Sequence, residues 1–326
     1  MQDDLQNLEQ IRFTIEGWLG EEVEEIVPLS KTSTKVTLEC KINRECFMVY
    51  HLLLPEEEDF FNSYQKVKQL KHPNIVVFYD CFIAKDFAII LLEKIGINLL
   101  SYVEKHDKGL NEKFVQYVIY NVTNLLLFLH ENNIAHLDIC AQNIYISSSG
   151  VIKLGGFGKC KKLQKNTDRI STNYFLNRTL YLAPECLSKD LFNPFAADVW
   201  SLGILMHVLL TSNWPFCADN NEELFVEAAS GNINLVKFAS SFPKLLVLID
   251  SLLDNDPSFR PALANMLKNG WVVTGANFEF SADCISKQPT AQTQNQDAKS
   301  HKECSIKHLF NKLCKKTNNK NFIVSL

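Results

Sequence analysis

The chain has 326 residues, is 46% hydrophobic and 21% charged, and carries a formal net charge of −4, which suits a globular protein of one two-lobed domain or two ordinary ones and leaves no footprint for nucleic acid. Its opening, MQDDLQNLEQ, lacks the apolar segment of a secretion signal, and runs such as FAIILLE are far too short to cross a membrane. Ten cysteines without CxxC or metal-ligand spacing read as reduced thiols of a cytoplasmic protein, the nucleus staying open.

Charge is unevenly placed. Residues 1–28 hold eight acids against Arg12, and residues 302–320 hold six lysines against Glu303. Residues 1–23 are therefore set apart as an acidic N-terminal extension. Next, KVTLECKI and CFMVYHLLL flank a polar turn at Asn43-Arg44-Glu45, the pattern of a hairpin. A helix is expected from Glu57 to Leu70, stopped before Pro73. IVVFYDCF and FAIILLE follow as strands.

After Lys94 the pattern turns helical. NEKFVQYVIYNVTNLLLFLHENN is amphipathic, and AADVWSLGILMHVLL is apolar nearly all round and so belongs in a core. PKLLVLIDSLLDND and PALANMLKNGW are two further helices. The fold class is α+β: a small five-stranded N-lobe with one helix, residues 24–94, and a mostly helical C-lobe, residues 95–273. Residues 274–304 are assigned to a linker, polar from Ser281 onward, and residues 305–326 to a basic amphipathic tail. In that tail Ile306, Leu309, Phe310 and Leu313 fall at the spacing of one helix face.

Five motifs in register resemble those of a protein kinase domain over Glu24 to Val273. His136-Leu137-Asp138 with Asn143 resembles the catalytic loop, and Gly156-Phe157-Gly158 stands where the family has Asp-Phe-Gly. Ala183-Pro184-Glu185 resembles the end of the activation segment, and Asp198-Val199-Trp200-Ser201-Leu202-Gly203 the buried central helix. Arg260, in DNDPSFRP, is then the partner of Glu185. DVWSLGILMHVLLTSNWPF and NGWV are loosely similar to the calmodulin-kinase and Tribbles neighbourhood. The resemblance implies a bilobal kinase-like fold. It also implies an internal column joining the lobes through Val67, Phe78, His136 and Phe157, anchored near Asp198.

Phosphoryl transfer rests on holding ATP and neutralising its charge. The segment that resembles the glycine loop, Leu29 to Thr37, has no glycine to let backbone amides approach phosphates. Tyr50 stands at the strand-three lysine position, Ser63 at its glutamate partner and Gly156 at the metal-binding aspartate. Met48 and Tyr145 flank the adenine position with large side chains, so the pocket is expected to be filled by the protein itself, with Lys35, Leu92 and Gly156 completing a degenerate ATP site. Leu137 replaces the arginine that reads activation-loop phosphorylation. Asp138 and Asn143 keep the residual base and metal-ligand positions and are read as holding the loop in shape, with Cys140 where a lysine usually assists. Lys159, Lys161, Lys162 and Lys165 are expected to form a basic, exposed stretch.

These departures imply an inactive kinase-like protein, a pseudokinase acting as scaffold or allosteric regulator through protein partners, with no metal and no cofactor beyond residual weak ATP. Two alternatives stay open. One is an active Ser/Thr kinase in which Lys35, at the third glycine position, substitutes for the missing lysine as in the with-no-lysine kinases. The other is a nucleotide-sensing module that works without metal. The tail is read as a contact for an acidic partner or for the chain's own N-terminus, in preference to membrane.

Overall fold

The computed structural model describes residues 2–31, 35–53, 64, 66–85, 87–104, 106, 109–147, 149–164, 169–171, 180–188, 191–216 and 221–280. Contacts divide the chain into two units, one ending at Gly96 and one beginning at Ile97.

The first unit opens with helix α1 (Gln2–Leu19) and continues through strands β1 (Val23–Lys31), β2 (Lys35–Ile42), β3 (Glu45–Leu53), β4 (Phe78–Ile83) and β5 (Phe87–Glu93). They form one antiparallel sheet in the order β1-β2-β3-β5-β4. A two-residue turn sets the β2–β3 register, with Ile42 opposite Glu45. Asn43 and Arg44 have φ of 51° and 66°, the doubly left-handed form whose twist matches the flanking strands. Glu24 braces the strained arginine by accepting its backbone N–H at 2.7 Å.

Alternation along the strands puts Leu38, Cys40, Val49, Ile89 and Leu91 on one buried face. Helix α1 covers that face with Ile11 and Ile15, one turn apart, while Trp18 lies 6.0 Å from the Phe82 ring. Each buried isoleucine contributes about 1.5–3 kcal/mol by leaving water. Arg12 donates to the Val23 carbonyl at 2.9 Å, and the Val23 N–H donates to Glu16 at 3.1 Å, which fixes the turn from helix to sheet. The acidic stretch is thus part of the first unit's core. Leu8, Ile11, Ile15, Trp18 and Leu19 of this helix pack on the core between charged and polar residues, so composition alone conceals it.

Of the helix expected from Glu57 to Leu70, Tyr64, Lys66 and Val67 are helical, and residues 54–63 lie outside the described residues. The opposite face of the sheet buries Met48, Tyr50, Leu92 and Phe78, and Tyr64 packs on Phe78 at 5.5 Å.

In the second unit, α2 (Leu99–Val103) precedes α3 (Glu112–Glu131), which Asn111 caps by accepting from the N–H groups of Lys113 and Phe114. Helix α4 (Glu185–Ser188) opens on the motif glutamate, and α5 (Pro194–Thr211) starts with Pro194 behind the cap residue Asn193. Among the described residues, α5 is the one helix long and apolar enough to cross a membrane, and 83% of it is buried inside the protein, as expected of a core helix. The C-terminal helices are short: α6 (Asn221–Ser230), α7 (Val236–Ser241), α8 (Leu246–Leu252), α9 (Leu263–Met266) and α10 (Gly270–Val273).

Residues 274–280 correct the linker assignment. Phe278 stacks on Tyr117 at 5.0 Å and lies 6.2 Å from Phe114. A Cβ at Gly275 would meet the Gln116 carbonyl oxygen at 2.2 Å, so this segment lies directly on α3. Two aromatic anchors, Phe278 and Phe280, extend the fold beyond the point where polar composition suggested it stops. Residues 281–326, including the tail, lie outside the described residues.

Candidate functional site: the catalytic-loop cluster

The loop from His136 to Asn143 is organised by Asp198 of α5. This fully buried carboxylate accepts the backbone N–H groups of His136 at 2.8 Å and Leu137 at 2.7 Å, and it meets His130 Nε2 at 2.9 Å. Leu137 has φ of 63°, a left-handed conformation that costs a side-chain-bearing residue about 1–2 kcal/mol. The carboxylate's hold on two successive amides is what keeps the loop there. His136 is oriented from both ring nitrogens. Nδ1 accepts the Asp138 N–H at 3.2 Å, so Nε2 carries the hydrogen and donates to the Gly155 carbonyl at 2.9 Å. Burial lowers the His136 pKa, against the opposing pull of Asp198 and Asp138, in keeping with a neutral ring.

Asp138, projecting from this loop, is engaged through both oxygens. Lys159 Nζ lies 2.9 Å from Oδ1, and Asn143 Nδ2 donates to Oδ2 and to the Asp138 carbonyl, each at 2.8 Å. Burial pushes this carboxyl up, but Lys159 first, then His136 and Asn143, outweigh it and hold the pKa below the ordinary value. Lys159 is half-buried, not part of an exposed basic stretch, because it is drawn to Asp138. Lys162 is exposed, and Lys165 lies outside the described residues. Cys140, two residues past Asp138, is a buried thiol that burial, and then Asp138, push up to about 12.

Gly156 explains how Asn143 can reach Asp138. It has φ of 76°, and a Cβ built there would fall 2.3 Å from Cγ and Nδ2 of Asn143. The asparagine amide fills the space that any side chain at residue 156 would enter. Phe157, next in sequence, is buried with its ring 4.8 Å from His136.

Met48, Tyr50 and Leu92 form a separate group on the first unit's sheet. Met48 is opposite Leu92 across β3 and β5, and Leu92 is opposite Phe78 across β4. Tyr50 is opposite Ile90, and all five are buried. Val67 is buried in the same unit. Lys35 opens β2 opposite Leu52, its side chain lying outside what is described, as does Ser63. Tyr145 is half-buried on β6 (Ile144–Ile146), opposite Lys153 of β7 (Ile152–Leu154). The structure therefore brings Asp138, Asn143 and Gly156 together, and separately Met48, Tyr50 and Leu92.

Lys159 is the member of the cluster that sequence reasoning misplaced. Its signal was the absence of a lysine at Cys140 beside a lysine directly after Gly156-Phe157-Gly158. The donor set does not fit a divalent cation. Magnesium takes anionic and neutral oxygens in an octahedron. Here the one carboxylate already holds an ammonium group and the Asn143 amide nitrogen, and residue 156 has no side chain. Among the described residues no group of three or more His, Cys, Asp or Glu could hold a metal ion.

A second signature ties the activation-segment end to the C-terminal helices. Arg260 donates from Nη1 and Nη2 to the two oxygens of Glu185, at 2.5 and 2.9 Å, and from Nη1 to the Ala196 carbonyl at 2.9 Å. Its guanidinium also lies 4.9 Å from the centre of the Trp200 ring. Both charges are buried, and the fork of two parallel bonds is what makes that tolerable.

Comparison with known proteins agrees with these motifs. The family model for the protein kinase domain matches residues 49–272. The Serine/threonine-protein kinase PLK1 of Xenopus laevis is 26% identical over 225 residues, covering 69% of this chain and 37% of that protein. The Serine/threonine-protein kinase CHK1 of Saccharomyces cerevisiae is 31% identical over 216 residues, 64% of this chain and 41% of that protein. The Protein kinase kin1 of Schizosaccharomyces pombe is 30% identical over 205 residues, 63% and 22% respectively. The matched stretch spans less than half the length of each of these relatives. With its matched domain, five-stranded antiparallel sheet and helical second unit, the chain belongs to the protein kinase family.

Proposed function

We propose that this protein is a pseudokinase, a kinase-like fold that acts in the cytoplasm through contacts with other proteins and does not transfer phosphate. The observation that most favours this reading is the closed circuit at Asp138. Lys159 and Asn143 take its two oxygens, and Asn143 fills the space beside Gly156. A general base must be free to receive a proton from substrate. This carboxylate instead serves as an internal counter-ion. The buried Met48, Tyr50 and Leu92 favour the same reading for the sheet, because Tyr50 supplies no cation for a phosphate.

The test is thermal melting of the full chain with millimolar ATP, once with magnesium and once with EDTA. A ligand at a hundred times its Kd stabilises by about 2.7 kcal/mol, which raises Tm by roughly 5–11 °C for a domain of this size. The expected result is no shift in either condition. A shift with magnesium alone would overturn the proposal in favour of a kinase using Lys35. A shift that survives EDTA would overturn it in favour of metal-free nucleotide sensing.

A further inference from the structure

The second unit carries an open groove of about 530 Å³ between the end of α6 and the start of α7, lined by polar Glu227, Asn232 and Asn234 as well as Ile233, Leu235 and Val236. Its shape is fixed by backbone hydrogen bonds. The Asn232 N–H donates to the Glu227 carbonyl at 3.1 Å, and that of Asn234 to the Pro215 carbonyl at 2.7 Å. Gly231, with φ of 70°, ends α6. A Cβ on it would fall 1.9 Å from Asn255 Oδ1, so the loop carrying Asp254 and Asp256 lies against this turn.

Two properties of this groove suit it to a partner. Val236 in its lining is 75% exposed, and Val226 on α6 is 65% exposed. Its lining includes Glu227, Glu223 lies one turn earlier on α6, and Asp254 and Asp256 flank Asn255, which meets the Gly231 turn. A complementary ligand would present a short apolar stripe flanked by positive charge. The same chain contains one. Ile306, Leu309, Phe310 and Leu313 fall on one helical face among Lys307, Lys312, Lys315 and Lys316. The described chain ends at Phe280 in this same unit, and the 25 residues from 281 to 305 can span up to about 85 Å.

We propose that segment 305–316 docks in this groove in cis, its apolar stripe on Ile233, Leu235 and Val236 and its lysines toward the acids around them. The groove is preferred to the acidic α1 because α1 spends Leu8, Ile11, Ile15, Trp18 and Leu19 on the sheet and, among its residues whose side chains are described, leaves Phe13 as the one exposed large apolar group. Tethering supplies a local concentration on the order of 1 mM, so an intrinsic Kd on the order of 0.1 mM leaves the groove about ten-fold more often closed than open. The proposal is independent of nucleotide binding and would stand if the pseudokinase reading failed.

The experiment uses the full chain. Carbodiimide, which joins lysines to carboxylates already in contact, is applied to a mixture of isotope-labelled and unlabelled protein, and the cross-linked peptides are mapped. Amide exchange of residues 231–236 is compared between wild type, a Leu309→Asp/Phe310→Asp variant and Val236→Asp. Val236 is exposed, so its substitution spares the fold. The expected result is intrachain links from the tail lysines to Glu223, Glu227, Asp254 or Asp256, and exchange about ten-fold faster in both variants. Links confined to Glu9, Glu16, Glu21 or Glu22 would move the dock to the N-terminus and overturn the proposal. Links only between differently labelled chains would replace it with docking on a second copy, and exchange unchanged in both variants would also end it.

Discussion

Substituting Gly156 by alanine tests whether the packing of Asn143 against Gly156 sets the geometry of the loop. The new Cβ would fall 2.3 Å from the asparagine amide, closer than real side chains approach, so Asn143 must turn away. Turning breaks the two 2.8 Å bonds to Asp138, together worth roughly 2–3 kcal/mol because one acceptor is charged. The left-handed backbone at residue 156 adds about 1–2 kcal/mol for any residue with a Cβ. The total, about 3–5 kcal/mol, corresponds to a fall in Tm of roughly 6–20 °C. In an Asn143→Ala background the steric part disappears and only the backbone part remains, so a double-mutant cycle read by urea unfolding should give a coupling of about 2–3 kcal/mol. A coupling near zero, or a Gly156→Ala variant as stable as wild type, would show that the asparagine is not held where its contacts place it. The same steric argument predicts that restoring an aspartate at residue 156 alone yields no phosphoryl transfer.

Three further outcomes follow from the electrostatics. Replacing Lys159 by Met removes the chief influence lowering the Asp138 pKa, so its carboxyl resonance in NMR should titrate at higher pH than in wild type; an unchanged midpoint would refute the pairing. Arg260→Ala leaves Glu185 buried without its partner and should cost about 3–5 kcal/mol by denaturant midpoint; a loss under about 1 kcal/mol would mean the pair is not buried in solution. Burial lowers the His207 pKa from 6.5 to about 4. Between those values the unfolded chain binds the extra proton, so stability should fall as pH drops from 6.5 toward 4, by on the order of 3 kcal/mol, and no further below. His207→Gln should flatten that slope, and an unchanged slope would place the titration elsewhere.

The lobes and the central helix were legible in the sequence because each follows one periodicity. Strands β2, β3 and β5 alternate or run apolar, and α5 is apolar nearly all round. Asp138, Asn143 and Gly156 were legible as a group through motif order. What was not legible depended on long-range partners. Lys159 looks like a solvent lysine until the fold sets it beside Asp138, 21 positions earlier. Helix α1 looks like a charged leader because the sheet that receives Ile11 and Ile15 is built from residues that follow it. Phe278 and Phe280 sit in a polar stretch of sequence, and the residues they pack against, Tyr117 and Gly150 respectively, lie far back in the chain.

The strand order has a consequence for biosynthesis. Strand β5 is the last of the sheet to be made, yet it lies between β3 and β4 and supplies the hydrogen-bonded neighbour on that side of each. Until Phe87–Glu93 has left the ribosome, β4 has no strand beside it, and the apolar face that α1 covers lacks Ile89 and Leu91. The first unit therefore cannot assemble progressively from its N-terminus. It should close in a single step late in its own translation, and nascent chains halted before Phe87 should remain open to protease and chaperone while those halted well after Gly96 do not.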